Sequence, residues 1–407
     1  MKNIIILFIY DGSPEIDWIL PLLYKLKKDH KIFTHFKNQK SFQNLRNNKE
    51  LFSLWKNITD KYYIQKYTDN FFWKVLFSLS KFLKIKDAKF NHFLIKKINN
   101  IKKLNIKLKK IFNIKDLKVK FIFSSVSRNS GWTLNYKSIF KESKFIHYPD
   151  TTFNYPLKYK KNISLPHKLK GDILLVANKV SVTYFKNLKN KKKMIICGTP
   201  KYDSFWKKIL LKNRNKNLDF RYNPIKKKYL ITFAYTSFFD LYNNANEKLH
   251  AQLFDIMRSI SKLKDVVLIF KIHPRADSNS YLKTLNKFDN SKWIISKNHI
   301  INLASISRCF LHTPLTSTVT DALFLGLPTI QIWYPFKELY SNEKKIFYDE
   351  KLSYKAKNSK QLKNFIKKIK DKKNKYFLKK KIDKFNKAYR PNSNSANLII
   401  TKINNIL

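Results

Sequence analysis

The sequence is short of the residues that make staples, metal clusters and nucleotide-binding glycine loops. It has two cysteines in 407 residues, Cys197 and Cys309. Both sit in apolar runs (KMIICGTP and ISRCFLH), with no CxxC or Cys/His spacing beside them. That argues against a disulfide framework and a structural zinc site, and reads as two buried free thiols in a reducing compartment. Glycine is rarer than in most enzymes, with five in the whole chain. Neither GxGxxG nor GxxxxGK[ST] occurs, which argues against a nicotinamide dehydrogenase or a P-loop enzyme. No apolar run reaches the ~18 residues that a transmembrane helix needs. The N-terminal MKNIIILFIYDG stops at Asp11-Gly12 without a small-residue cleavage site, so it does not read as a signal peptide. The expectation is a cytoplasmic protein, free or resting on the inner face of the plasma membrane.

Acidic residues are also few, 27 against 84 basic ones, for a formal net charge of +57. Such a balance invites a nucleic-acid partner. The basic residues are nearly all lysine, however. Arginine, the bidentate reader of bases and phosphates, occurs only eight times. Lysine is enriched together with asparagine, isoleucine, phenylalanine and tyrosine, whose codons are AT-rich, so genome composition accounts for it more simply. No nucleic acid is expected as a partner. The positive surface would still attract anionic lipid or anionic sugar polymers. The lysine-studded apolar stripe over 71–113 is a candidate membrane-surface helix; the plainer reading is that its apolar side packs on the first domain and its lysines are solvated.

What is present is a series of short continuous apolar runs, as in the buried strands of a parallel sheet. The first unit reads strand Ile4–Tyr10, a helix from about Asp17 opened by Ser13-Pro14-Glu15, and strand Ile32–Phe36, a βαβ opening. Residues 41–115 read as helices. Strands follow at Phe121–Ser124, Lys144–His147, Ile173–Ala177 and Met194–Cys197. The polar stretch 207–228 reads as a domain boundary. A second α/β series runs from Tyr229 through strands at Val266, Trp293, Cys309 and Thr329, and 355–388 reads as lysine-rich helix. After Pro391 comes a terminal helix with Ser393 or Asn394 as its cap. The expected domains are 1–210, with the helical insertion, and 226–388, followed by the helix within 391–407.

Three stretches carry candidate chemistry. In CFLHTPLTSTVTDALFLGLPTIQIW a strand ends in hydroxyl residues that open a helix. Thr316, Ser317 and Thr318 would present hydroxyls and free amides to an anion. Asp321, one turn on, would accept from a ribose, and Gly326-Leu327-Pro328 would close the helix. The plainer reading is an ordinary capped helix. In VVLIFKIHPRAD a buried strand runs into Lys271, His273 and Arg275, a cationic cluster at the sheet edge where α/β proteins bind ligands. The plainer reading there is a satisfied turn histidine. In KFIHYPDTTFNY, Asp150 or His147 could deprotonate an acceptor hydroxyl, or Asp150 could be an Asx-turn residue. Asp11, Glu15 and Asp17 in YDGSPEID offer a weaker carboxylate set, and dipole stabilisation alone explains Asp17.

The order of these pieces, ICGTPKYD, then KIHPRAD, then TSTVTDALFLGLPTI, resembles the GT-B glycosyltransferase superfamily. The pairing of a His-Pro motif with a later Ser/Thr motif is similar to capsule-type transferases: bacterial polysialyltransferases, capsule Kdo transferases and CDP-glycerol glycerophosphotransferases. The resemblance implies two Rossmann-like doubly wound α/β domains facing across a cleft. It implies a nucleotide-activated donor whose phosphates meet His273, Thr316 and Ser317 and whose ribose meets Asp321. An acidic residue of the first domain would be the base, for which Asp150 is the best match, although the glycine expected after the acidic pair is missing. The expected activity is transfer of a sugar from a nucleotide-sugar donor to a cell-surface polysaccharide or lipid-linked glycan, with no cofactor and no metal. Alternatives are a glycerophosphotransferase or a nucleotide-sugar 2-epimerase of the same fold, a degenerate inactive member, and, from another class, a non-catalytic basic membrane- or nucleic-acid-binding protein.

Overall fold

The computed structural model describes residues 3–65, 118–125, 139–149, 171–179, 182, 193–217, 228–234, 245–273, 279–313, 316, 318–332, 353–371, 383 and 394–405. The chain divides into two compact units. Met1–Arg46, Leu51–Asp203 and Asn394–Leu407 form the first, and Asn47–Glu50 with Ser204–Ser393 the second.

The first sheet comprises β1 (Asn3–Ile9), β2 (His30–Phe36), β3 (Lys61–Ile64), β4 (Val119–Ser125), β5 (Lys144–Tyr148), β6 (Ile173–Val176) and β7 (Lys193–Ile196). All pairings are parallel, in the order β3-β2-β1-β4-β5-β6-β7. Ile4 through Ile9 are all buried, because a central parallel strand is covered on both faces. This is why the strand reads as an unbroken apolar run. Helix α1 (Ser13–Leu26) follows β1, and α2 (Gln39–Arg46) and α3 (Lys49–Ile58) follow β2. The helical expectation over 41–115 is corrected at β3. There Lys-Tyr-Tyr-Ile pairs with β2 as an edge strand that leaves Tyr62 49% exposed. Its tyrosines favour a half-covered pleated surface, so it never shows the apolar run of a central strand. The lysine-studded segment 71–113 lies outside the described residues.

The turn after β1 is closed by side chains. The Glu15 carboxylate is fully buried, and its Oε2 accepts the backbone N–H groups of Tyr10 (2.8 Å), Asp11 (2.8 Å) and Gly12 (3.3 Å). Helix α2 covers the turn. Ser13 Oγ donates to the Asn44 carbonyl at 2.7 Å, Asn44 Nδ2 donates to the Asp11 carbonyl at 3.1 Å, and Ser41 Oγ donates to the Tyr10 carbonyl. Gly12 sits at φ 95°, where a Cβ would lie 2.4 Å from the Ser41 carbonyl oxygen. Only glycine fits both that dihedral and that approach.

In the second unit, α4 (Ser204–Asn217) precedes β8 (Tyr229–Ala234). Then come α5 (Ala245–Ser261), β9 (Val266–Lys271), α6 (Asn279–Leu285), β10 (Trp293–Ser296), α7 (Ile300–Ile306), β11 (Cys309–His312), α8 (Val319–Phe324), β12 (Thr329–Ile332), β13 (Tyr354–Ala356) and α9 (Ser359–Lys370). This sheet too is all parallel, in the order β10-β9-β8-β11-β12-β13. Two expectations change here. The stretch from 207 that reads as a linker opens as α4, because Trp206 and Leu210, four apart on one helix face, are fully buried. The lysine-rich helix expected from 355 begins instead as β13 and becomes α9. The Asn358 side chain accepts from Gln361 N at 2.9 Å, and Leu362, Ile366 and Ile369 supply the buried stripe.

The terminal helix α10 (Ser395–Asn404) belongs to the first unit and packs on α1. Its cap differs from the one read in the sequence. Asn394 stands at the cap position without a side-chain cap bond. Asp203, 0% exposed, instead accepts the N–H groups of Ser395 at 2.7 Å and Ala396 at 2.8 Å. Burial pushes the Asp203 carboxyl above the ordinary carboxylate range, against the pull of those two amides. A carboxylate 192 residues away in sequence thus does the work of a local cap. Asp203→Ala is expected to cost about 1–2 kcal/mol, read as a lower urea midpoint at unchanged m-value. A midpoint equal to that of the native chain would show that α10 docks without this cap.

Candidate functional site

Both sheets begin in the middle. In each, the first strand is flanked on one side by the second and on the other by the fourth, so the chain winds away in opposite directions from that strand. Ligands of such sheets bind beyond the carboxyl ends of the strands at that reversal. In the second unit the reversal lies at β8, between β9 and β11. Pairing sets Ser296, Lys271, Ala234, His312, Gln331 and Lys355 side by side across the six strands.

Lys271 ends β9 and His273 follows two residues later, half-buried. Lys271 Nζ donates to the carbonyls of Ile272 (3.3 Å) and Lys297 (3.2 Å). Burial holds its pKa down to about 8, opposed by the charge of Glu50 and aided by that of Lys297. Glu50, a buried member of the second unit, accepts from His299 N at 3.0 Å and from Asn302 Nδ2. A buried carboxylate pinned in this way holds negative charge where Lys271 feels it. Arg275 lies outside the described residues.

On the other side of β8, His312 ends β11. Beyond it, Thr316 Oγ1 and Thr318 Oγ1 are 2.9 Å apart, and Ser317 lies outside the described residues. The helix expected from about Ser317 starts at Val319. Thr318 is its cap residue and makes no side-chain cap bond. Its end matches the expectation. Gly326 is at φ 75°, with Gly326 N bonded to the Leu323 carbonyl and Leu327 N to the Ala322 carbonyl, both at 3.0 Å, a Schellman ending. Asp321 is 1% exposed rather than open, because so short a helix packs its first turn against α7, β11 and β12.

The two motifs follow strands on either side of the reversal. The strands bearing His273 and the Thr316–Thr318 stretch are not neighbours, since β8 separates them. All strands being parallel, they end at the same edge, about 10 Å apart at two inter-strand spacings. Sequence reasoning missed two residues here. Glu50 carries no local motif, and His312 looks like one more residue of an apolar strand.

The first unit treats its sequence candidates differently. His147 is fully buried, and its Nε2 accepts the Gly171 N–H at 3.2 Å. A Cβ on Gly171 would lie 2.5 Å from the His147 ring. Nε2 is occupied by an amide inside the sheet, so the ring is not an accessible base. Asp17 pairs with Lys201 Nζ at 3.1 Å, with both side chains mostly covered. This contact accounts for Lys201 of the ICGTPKYD motif, as the cap of α10 accounts for Asp203. Asp150 lies outside the described residues. The amides of the β1–α1 turn, where a nucleotide-binding turn would receive phosphate, are occupied by Glu15. Among the described residues no group of three His, Cys, Asp or Glu side chains could hold a metal ion.

Residues 148–403 match the family model of CDP-glycerol:poly(glycerophosphate) glycerophosphotransferase. No curated protein matches the sequence. Among solved structures the chain is similar to the UDP-GlcNAc 2-epimerase of Methanocaldococcus jannaschii, at 16% identity and TM-score 0.60 over 99% of both chains. That enzyme is also solved with UDP-GlcNAc and UDP, matching at 18% identity and TM-score 0.58 over 99% of both chains. A UDP-glucosyltransferase of Polygonum tinctorium matches at 8% identity and TM-score 0.58, over 99% of this chain and 98% of that one. At these identities the likeness is one of fold, two Rossmann-like α/β sheets as in the GT-B superfamily.

The Lys271 environment makes a pH prediction. Its folded pKa lies below the ordinary 10.5, so the unfolded chain holds the proton over a range where the folded one does not. Stability therefore gains as pH rises from about 8 towards 10.5. Glu50→Gln removes the charge that favours the ammonium. The pH midpoint for brief acetylation of Lys271, followed by mass spectrometry, is expected to fall by roughly one unit. An unmoved midpoint would dissociate Glu50 from Lys271.

Proposed function

The chain belongs to the CDP-glycerol:poly(glycerophosphate) glycerophosphotransferase family, and we propose that it is a nucleotide-dependent glycosyltransferase whose donor binds the second unit. One contrast carries this reading. The turn after the first strand is already filled by a carboxylate in the first unit (Glu15), whereas the corresponding edge of the second unit carries Lys271, His273 and the hydroxyls of Thr316 and Thr318. An anionic diphosphate suits the second edge and is repelled from the first. The binding of UDP-GlcNAc and UDP by a protein of the same fold supports a nucleotide diphosphate as the donor handle.

In this proposal Lys271, His273 and Arg275 face the donor phosphates, with Thr316–Thr318 completing the cradle and Asp321 meeting the ribose once its buried surroundings admit it. The acceptor is a cell-surface polysaccharide or lipid-linked glycan. Its hydroxyl oxygen attacks the anomeric carbon as Asp150 takes the proton. The bond from that carbon to the phosphate oxygen breaks, and a nucleoside diphosphate leaves. Cationic groups at the leaving phosphate stabilise the charge that develops there. No described helix is long and apolar enough to cross a membrane. The enzyme would work in the cytoplasm, at the membrane face where lipid-linked acceptors are presented.

The family match favours a second reading in which glycerol phosphate is moved from CDP-glycerol. The attacked atom is then the phosphorus bearing glycerol, and CMP leaves. The two reactions part at the leaving group. Chromatography of nucleotides after incubation with UDP-sugars, CMP- or CDP-activated donors and lipid extract decides between them. A diphosphate released from a nucleotide sugar supports glycosyl transfer, and CMP from CDP-glycerol supports the second reading. Release from none of them removes both.

His273→Ala is expected to lower kcat/KM by roughly 100-fold, as for other lost charge-stabilising contacts, while moving Tm by under about 2 °C. Asp150→Asn keeps the shape and removes the basicity. It is expected to abolish turnover while donor affinity and Tm stay near native. An Asp150→Asn chain that turns over at the native rate overturns that base assignment, and one that unfolds makes Asp150 a turn residue.

A further inference from the structure

His312 was not singled out by the sequence, and no step of the proposed reaction uses it. It is fully buried at the carboxyl end of β11, beside the reversal in the second sheet. Its Nδ1 lies 3.0 Å from the Thr313 carbonyl oxygen and its Nε2 lies 3.1 Å from Ser353 Oγ. Ser353 Oγ in turn lies 2.5 Å from Thr329 Oγ1. With the ring neutral, these contacts allow one arrangement of protons. A carbonyl only accepts, so Nδ1 carries the hydrogen and donates it to Thr313. Nε2 of the neutral ring then accepts, and Ser353 supplies the O–H. Having given its one proton to the ring, Ser353 accepts from Thr329. The relay runs Thr329 to Ser353 to His312 to the Thr313 carbonyl. It ties the start of β12 and the residue before β13 to the first residue beyond β11. Burial pushes the ring's pKa down to about 4, against the pull of the Thr313 carbonyl, so the neutral form holds throughout the working range.

We propose that His312 is a positioning residue, whose Nδ1–H fixes the Thr313 carbonyl and so aims the chain that continues to Thr316 and Thr318. Resting on the donor-site reading above, this gives the hydroxyl stretch a fixed origin that its own helix does not supply. α8 is six residues long, and Thr318 makes no side-chain cap bond. Hydroxyls that must meet a ligand need rotamers and backbone locked by a supporting layer. Thr313, itself fully buried, is further tied by its N–H to the Ala234 carbonyl of β8 at 3.4 Å.

Two isosteric changes separate this role from plain packing. In His312→Asn the side-chain amide stands where Nδ1 stood and can still donate to Thr313. In His312→Gln it stands where Nε2 stood, and the Thr313 bond is lost. Two readouts apply to the full chain: hydrogen exchange of the peptide over 313–324, and titration with UDP-N-acetylglucosamine and CDP-glycerol as probes. The Gln variant should exchange about tenfold faster there and bind the accepted probe about tenfold more weakly, the scale of one buried hydrogen bond. The Asn variant should stay within a few-fold of native in both, although the lost bond to Ser353 lowers its Tm by a few degrees, so Tm does not separate the two variants. Equal exchange in all three chains overturns the positioning role. So does equal impairment of both variants, which would make His312 a packing residue. If exchange separates the variants while the native chain binds neither probe, the hold on Thr313 stands and the donor-site reading falls.

Discussion

The constraint on which both units depend is that their first strands lie inside the sheet. Crossovers between parallel strands are right-handed. Winding to one side of β1 or β8 therefore lays helices on one face of the sheet, and winding to the other lays them on the opposite face. At the reversal the connecting segments diverge, and backbone groups at the carboxyl ends are left to find partners elsewhere. The two units resolve the same shortage with opposite chemistry. In the first, Glu15 turns back from the first turn of α1 and takes three N–H groups of its own loop. In the second, Lys271, His273 and the hydroxyls of Thr316 and Thr318 follow the strand ends on either side of β8. A fold that repeats twice thus presents one closed anion nest and one cationic edge.

The strands easiest to read from the sequence are those in which burial on both faces leaves no room for a polar residue. β1, β4, β8, β9 and β11 appear as apolar runs because each is covered on both sides. Of the four edge strands, β7 and β10 still show short apolar runs, and β3 and β13 do not. Tyr62 is about half exposed, and Lys355 sits in the middle of β13. Half-covered strands alternate or carry charge and look like loop or helix. Helix α4 was hidden by its lysines, although Trp206 and Leu210 bury one face of it. The cap of α10 was hidden for another reason. No window of sequence brings Asp203 beside Ser395, so a rule that searches next to the helix finds Asn394 instead.

The candidate site shows the same division. The stretches holding His273, Thr316 and Thr318 stood out because proline and hydroxyl residues after an apolar run are local signals, and the strands before them end at one edge of the parallel sheet. That β8 lies between their strands was not legible, since strand order is a property of the whole sheet. His147 misled because a histidine near a strand's carboxyl end looks the same in sequence whether its nitrogen meets an amide or solvent. The Gly171 N–H, with no Cβ to keep the ring away, settles it here. His312 and Glu50 failed to register for the converse reason. Their partners, Ser353, Thr329, His299 and Asn302, lie in segments far from them in sequence.

Charge illustrates why burial, and not composition, locates chemistry in this chain. A formal charge of +57 looks like the dominant feature of the sequence, yet the field of exposed lysines is screened within about 8 Å at physiological ionic strength. Lys271 differs from those lysines through its surroundings. It ends a central strand, has carbonyls of two segments against its ammonium, and has its pKa held down to about 8 while Glu50 pulls the other way. An incoming phosphate would restore what burial has taken from that ammonium, because a second negative charge beside it favours the protonated form. The same phosphate at an exposed lysine would only exchange one solvated ion pair for another, worth about 1 kcal/mol or less. An anion beside Lys271 would therefore change its charge as well as pair with it.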